Sequence, residues 1–393
     1  MMQRRRWLAS TTALLSSTRL WAAPAGGGRL LVVFLRGGCD TASLLVPARS
    51  SLYRELRPNI AIALAAPDRP GASAVDADWA LHPAFDASLL PLLRAGQAGF
   101  VPFAGTEDLT RSHFETQDSI ELGLPLGGQR DLSSGFLNRL AALLGDGSAI
   151  AFTEQLPLAL RGPVEVAKVS LRQPPGKPGN DTLQPAIAAM YRHHPLQGHV
   201  DEAFELRSEV AREMADEMQA ASRNAIGTKG FEAEARRIAR LMRERYALGF
   251  VDVGGWDTHV GQGAGSGTLA TRFEELGRGL AGFADALGDG EWRRTVVVVL
   301  TEFGRTMREN GNRGTDHGHG SAIVVLGGAL AGRPVAGEQV AIEARTLFQN
   351  RDLPVLNDYR AVLGGLMARQ FGLGRSALDT VFPGARARDL GLI

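Results

Sequence analysis

Glu302 and Arg305 sit in the run Thr301-Glu302-Phe303-Gly304-Arg305, and Asp316, His317 and His319 follow in Gly314-Thr315-Asp316-His317-Gly318-His319-Gly320. Asp40 ends Arg36-Gly37-Gly38-Cys39-Asp40, while Asp257 and His259 lie in Gly254-Gly255-Trp256-Asp257-Thr258-His259. Carboxylates and imidazoles in glycine-rich loops are the donors that divalent cations take, and a mixed oxygen and nitrogen set suits zinc, manganese or iron better than calcium or magnesium. Metal ligands must also be deprotonated, rigid and convergent. Each of these acids and histidines has a plainer account when taken singly. Asp257 reads as a turn residue, His259 as a loop histidine, Glu302 as the salt-bridge partner of Arg305, and Asp316 as a helix cap. Three chain segments with the same chemistry favour a shared centre for one or two divalent ions, zinc or manganese, held by Asp40, Asp257, His259, Glu302, Asp316, His317 and His319.

A second constellation is Thr110-Arg111-Ser112-His113-Phe114-Glu115-Thr116-Gln117. Ser112 opens a helical stretch, where free backbone N–H groups favour an anion. Ser112-x-x-Glu115 also reads as a capping box, and that is the expectation for the motif alone. His113 reads as a rim or packing residue.

These residues need elements to carry them, and the hydrophobic pattern supplies those. Short apolar runs predict strands over residues 31–35, 99–103, 149–152, 248–253, 295–300 and 322–326. Amphipathic spacing predicts helices over 84–95, 113–121, 135–144, 269–287 and 358–370. Continuous Val and Leu runs mark strands covered on both faces, as in a mostly parallel sheet. Ligands in such sheets bind at the carboxyl ends of strands, which is where the glycine-rich loops begin. The expected architecture is a three-layer α/β sandwich with a mostly parallel central sheet. Residues 200–247 interrupt the alternation as a helical hairpin, its buried face given by Phe231, Ala235, Ile238, Leu241, Met242 and Tyr246. Acids interleave its arginines, so a solvated face is expected there and not a nucleic-acid surface. The Pro- and Gly-rich stretch 173–180 reads as a loop over the site.

The 393 residues, 44% hydrophobic with a net charge of +1, suit one large domain and imply no polyanionic partner. Arg4, Arg5 and Arg6 precede an apolar stretch over residues 7–20, and Ala23-Pro24-Ala25 offers a cleavage site. Residues 1–25 thus read as a twin-arginine signal that engages the export machinery, with 26–393 as the folded domain, in the periplasm or secreted. The apolar stretch is too short for a permanent membrane span. One cysteine, Cys39, excludes an intrachain disulfide, and Cys39 reads as a packing residue.

The ordered blocks LRGGCD, SHFETQ, GGWDTH, TEFGRT and TDHGHG resemble an exported bacterial family, domain of unknown function 1501, over residues 31–328. Their order more broadly resembles the alkaline phosphatase-like and sulfatase-like superfamily, whose fold is of the sandwich type inferred above. That resemblance implies two metal ions around a Ser or Thr nucleophile. Carried over, Ser112 is the nucleophile with Thr110 as the fallback. Asp257, His259 and His317 ligate the first metal, and Asp40 and Glu302 the second. Arg305, with Arg36 or Arg111, neutralises the ester oxygens. Two departures stand out. The spacing is Asp257-x-His259 where the superfamily has Asp-x-x-x-His. Glu302-Phe303 replaces an Asp-His pair, with Asp316 or His319 as substitutes. The implied activity is hydrolysis of a phosphate or sulfate ester of a small molecule or polymer. No Cys-x-Pro-x-Arg occurs, which sets aside a formylglycine mechanism. The competing reading is a non-catalytic metal-binding envelope protein that keeps the fold. A dehydrogenase reading fails because no G-x-G-x-x-G follows the first strand.

Overall fold

The computed structural model describes residues 27–127, 130–145, 147–170, 189–202 and 230–393. The signal-like segment, the loop 173–180 and residues 203–229 of the hairpin lie outside the described residues. The strands, in chain order, are β1 (Arg29–Arg36), β2 (Leu45–Pro47), β3 (Ser73–Ala74), β4 (Trp79–Leu81), β5 (Ala98–Gly105), β6 (Ala149–Ala151), β7 (Ala167–Lys168), β8 (Leu248–Gly254), β9 (Thr295–Thr301), β10 (Ser321–Leu326) and β11 (Asn357–Asp358). Eight of them form one sheet in the order β11-β5-β10-β9-β1-β8-β6-β7, and β2, β4 and β3 form a small separate sheet.

The apolar runs explain the layers. Along β1, Leu31, Val33 and Leu35 enter one core, and Leu30, Val32 and Phe34 enter the other. Side chains alternate across a strand, so a strand apolar at every position must be covered on both faces. Helices Phe231–Glu244 and Thr268–Leu287 cover the first face, and helices Phe136–Leu144 and Tyr359–Phe371 the second. The α/β class, the three layers and the mostly parallel sheet are as expected. Of the hairpin, the described helix buries Phe231, Ala235, Ile238, Leu241 and Met242 as its spacing predicts. Among the described residues, no helix is long and apolar enough to cross a membrane.

The helix predicted over 84–95 is divided. A 3-10 turn, Pro83–Phe85, precedes a short α-helix, Leu89–Arg94. Pro91 has no N–H to donate inside a continuous helix, but in the first turn of one starting at Leu89 none is required.

One strand departs from parallel, and the site depends on it. β10 runs antiparallel to both β5 and β9, whereas β9, β1 and β8 are mutually parallel neighbours. The segment before β10 therefore arrives at the edge where β9, β1, β8 and β5 end. Residues 314–320 meet the loops after β5, β8 and β9 there. The loops approach closely. A Cβ on Gly37 (φ +122°) would lie 2.7 Å from the Asp257 nitrogen, and one on Gly314 would lie 2.3 Å from the His259 carbonyl carbon and oxygen.

Gly314→Ala is expected to lower the unfolding free energy by about 1–3 kcal/mol through overpacking. Gly311→Ala, whose Cβ meets nothing within 4 Å, should stay within about 0.5 kcal/mol of wild type. Chemical denaturation of both variants checks this, and equal effects would contradict the close contact.

Candidate metal centre

Three imidazoles and one carboxylate meet at the strand-end rim. His113 opens the helix His113–Leu122 that follows β5, Asp257 and His259 follow β8, and His317 precedes β10. One donor atom each from His113, Asp257 and His317 lies within 4.8 Å of the others. His113 Nε2 faces Asp257 Oδ2 at 3.6 Å, and His317 Nε2 faces Asp257 Oδ1 at 3.3 Å. His259 Nε2 lies 2.9 Å from Asp257 Oδ1 and 3.1 Å from His317 Nε2. Phe303 underlies the group, its ring centroid 5.0 Å from those of both His113 and His317.

Each imidazole is turned by an acceptor behind it. His113 Nδ1 meets Glu302 Oε1 at 2.8 Å, His317 Nδ1 meets the Arg111 carbonyl at 3.0 Å, and His259 Nδ1 meets Asp316 Oδ1 at 3.3 Å. Carbonyls and ionised carboxylates only accept hydrogen bonds. Each Nδ1 therefore carries the proton in the neutral ring, which leaves the Nε2 lone pairs pointing at the Asp257 carboxylate. Arg305 Nη1 donates to Asp257 Oδ1 at 2.7 Å. Nothing comparable reaches His113 Nε2, which is buried and has no hydrogen-bond partner. Imidazole lone pairs crowding a carboxylate that has Arg305 as its donor still form an acceptor cluster, and a divalent cation satisfies such a cluster. Two or three imidazoles with one carboxylate fit zinc, and an outer ring of acceptors on each Nδ1 is the usual support of such ligands. Asp257 and His259 are 44% and 40% exposed in their side chains, so the centre is open to solvent.

The charges suit this arrangement. Burial pushes Asp257 up, but the hydrogen bond and charge of Arg305 outweigh it and hold the carboxyl below its usual range. Glu302 is likewise lowered, with the hydrogen bonds of His113 and Gln117 overcoming its burial. The Glu302 hydrogen bond raises His113, whereas burial lowers His317. A cation at the centre competes with the proton that Glu302 favours on His113.

Several expectations are corrected. Asp40 does not face the cluster; it is fully buried against Arg57, with Nη1 2.7 Å from Oδ2 and Nη2 3.0 Å from Oδ1. Glu302 stands behind His113. Its Oε1 also accepts from the Gly37 backbone and Gln117 Nε2, both at 2.8 Å. Asp316 stands behind His259, and Asn310 also donates to its Oδ1. His319 is buried with its ring against Phe348, centroids 4.9 Å apart, outside the group around Asp257. Arg305 does not pair with Glu302; it is buried, bonded to Asp257 and to both the hydroxyl and the carbonyl of Thr315, so it positions the carboxylate and is not free for a substrate. Ser112 is the N-cap of its helix but makes no side-chain cap hydrogen bond, so the capping box is absent. Thr110 gives its hydroxyl to Asp108 Oδ1 at 2.6 Å. Cys39 is buried, and its burial pushes the thiol well up, consistent with a packing role.

Of the expected ligands, the structure brings Asp257, His259 and His317 together. The residue missed is His113. The helical spacing puts His113 and Gln117 on one face, but that both reach Glu302 is a long-range contact that the local pattern does not record. Glu302→Gln is expected to weaken zinc affinity by roughly 10–100-fold by loosening His113. Competition against a chromophoric chelator measures this, and an unchanged affinity would remove Glu302 from the support of the centre.

Likeness to known proteins is distant in sequence. No curated protein matches the chain. Among solved structures it is similar to a protein in the alkaline phosphatase superfamily from Vibrio parahaemolyticus, with 10% identity and a TM-score of 0.41 over 93% of this chain and 70% of that one. It is also similar to Ps i-CgsB in complex with k-i-k-neocarrahexaose, with 10% identity and a TM-score of 0.37 over 93% of this chain and 75% of that one. The family model described as protein of unknown function (DUF1501) matches residues 28–382, and the chain belongs to that family.

Proposed function

We propose that this chain is an exported, metal-dependent hydrolase of phosphate or sulfate esters. The observation that carries the reading is the solvent-open convergence of imidazole Nε2 atoms on Asp257, with His113 Nε2 left unpartnered. His113, Asp257 and His317 would hold a divalent cation, zinc or manganese, with His259 beside them. When bound, such a cation supplies Lewis acidity toward an ester oxygen.

The chain's own groups do the rest. Arg305 keeps Asp257 ionised and oriented. Glu302, Asp316 and the Arg111 carbonyl fix the three rings. Ser112 directly precedes His113, and its hydroxyl is not taken up by the helix it caps, so it stands available as the nucleophile. Its Oγ forms a bond to phosphorus or sulfur as the bond to the leaving oxygen breaks, and the hydroxyl proton ends on that leaving oxygen; water then attacks the transferred group, breaks its bond to Oγ and returns a proton to Ser112. The free N–H groups of the first turn of helix His113–Leu122 favour the negative oxygens of the group in transfer. One observation favours a non-catalytic metal-binding envelope protein instead. Arg36, Arg111 and Arg305 are each paired with a protein carboxylate, so none of the three stands free for an ester.

Zinc- or manganese-loaded protein is expected to turn over at least one of an aryl phosphate, a bis-aryl phosphodiester and an aryl sulfate. Chelation should abolish the activity and the metal should restore it. Ser112→Ala should lower kcat roughly a thousandfold or more while metal content holds. Full metal loading without turnover of any of the three esters would favour the binding protein. The reading of residues 1–25 as an export signal is tested separately. Changing Arg4, Arg5 and Arg6 to Lys should leave the precursor in the cytoplasm on cell fractionation, and undiminished export would remove the twin-arginine machinery as a partner.

A further inference from the structure

The superfamily resemblance implies a second cation beside the first, with Asp40 and Glu302 as its acidic ligands. Both acids are present, and donors already occupy both. Asp40 Oδ2 accepts from Arg57 Nη1 at 2.7 Å, Ser43 Oγ at 2.7 Å and Gln262 Nε2 at 2.8 Å, and Oδ1 accepts from Arg57 Nη2 at 3.0 Å. The Arg57 guanidinium is as deeply buried as the carboxylate. Its Nε donates to the Met307 carbonyl at 2.9 Å, Nη2 to the Thr306 carbonyl at 2.9 Å, and Nη1 to Ser43 Oγ at 3.1 Å, besides its two bonds to Asp40. A guanidinium has five N–H donors, and these contacts use all of them. One oxygen of Glu302 is filled as well. Oε1 accepts from Gly37, His113 and Gln117, and the single Thr301 hydroxyl proton is shared between the Leu35 carbonyl at 2.7 Å and Oε2 at 2.9 Å. The Asp40 pair reaches Asp257 only by relay. Gln262 donates to Asp40 and accepts from Thr315 Oγ1 at 3.0 Å, and Thr315 in turn accepts from Arg305, which holds Asp257.

The geometry points to a one-cation centre in which the Arg57 guanidinium is the permanent counter-charge of Asp40 and leaves that carboxylate no role as a ligand. This rests on the metal-centre reading above and fixes its stoichiometry. A guanidinium stays protonated at any physiological pH and, unlike a metal ion, does not dissociate. A cation taking Asp40 as a ligand would have to strip buried, charge-assisted hydrogen bonds from it and would meet the Arg57 charge on arrival, and at Glu302 it would displace the donors on Oε1. Ser112 is therefore not bridged by two ions, and its activation relies on the single centre at His113, Asp257 and His317.

Cobalt(II) titration of the metal-free full chain, followed by its visible absorption and checked by elemental analysis, tests this. Saturation at about one equivalent is expected, and His113→Ala should abolish it. The paired replacement Asp40→Leu with Arg57→Met removes both buried charges together. It avoids the misfolding that a lone buried guanidinium invites, and it should still bind about one equivalent, because neither residue is a ligand. Two equivalents in the wild type, one of them lost in the paired variant, would overturn the one-cation inference and leave the metal centre standing. No binding by the wild type would sink the metal centre itself and this inference with it.

Discussion

A carboxylate faced by imidazole lone pairs is unfavourable in a folded chain unless a cation or a proton joins them. The rim of this sheet holds that arrangement in place. Asp257 is at its middle, and the His113, His259 and His317 rings approach it with their Nε2 edges. Acceptors on the far side of each ring prevent the simple escape of a ring flip, because the flipped ring would lose its Nδ1 partner. The support is thus built to keep an otherwise uncomfortable geometry, which is the structural mark of a site kept for a ligand.

The support is itself layered. Arg305 serves Asp257 from below, Thr315 and Gln262 serve Arg305 and Thr258, and Gln262 ends on the buried Asp40–Arg57 pair. On the other side, Arg36 links Glu121 and Asp252 to Gln117, and Gln117 links to Glu302 behind His113. Buried charges survive here because each is paired and hydrogen-bonded. The arginines that resemble substrate clamps in the motifs are internal counter-ions in the fold. Their long side chains and planar donors serve a protein carboxylate as well as they would serve an ester.

Much of the fold is legible in the sequence. A strand apolar at every position must be buried on both faces, so residues 31–35, 248–253 and 295–300 announced a covered sheet. What pattern reading missed were the short pieces, β7, β11 and the β2-β4-β3 sheet, whose two or three residues carry no period. The antiparallel direction of β10 was also hidden, because a strand's own residues do not record which way its neighbours run. Of the site, Asp257, His259 and His317 were readable from their glycine-rich surroundings. His113 was read as a rim or packing residue, because nothing local to it shows that its ring meets Glu302 and Asp257.

The sequence by itself determined which side chains could ligate a cation, and that several of them stand just past strand ends, because strand periodicity and glycine-rich turns are local. Only the tertiary structure decided which of those acids keep free lone pairs. Asp40, Glu302 and Asp316 are chemically equal to Asp257 along the chain. They differ in what surrounds them: Arg57 and Gln117 reach Asp40 and Glu302 from other elements and Asn310 reaches Asp316 within its own loop, whereas Asp257 accepts from Arg305 on Oδ1 and is faced by imidazoles. A carboxylate's availability is set by the donors that surround it in space, and those are assigned only when distant segments pack together.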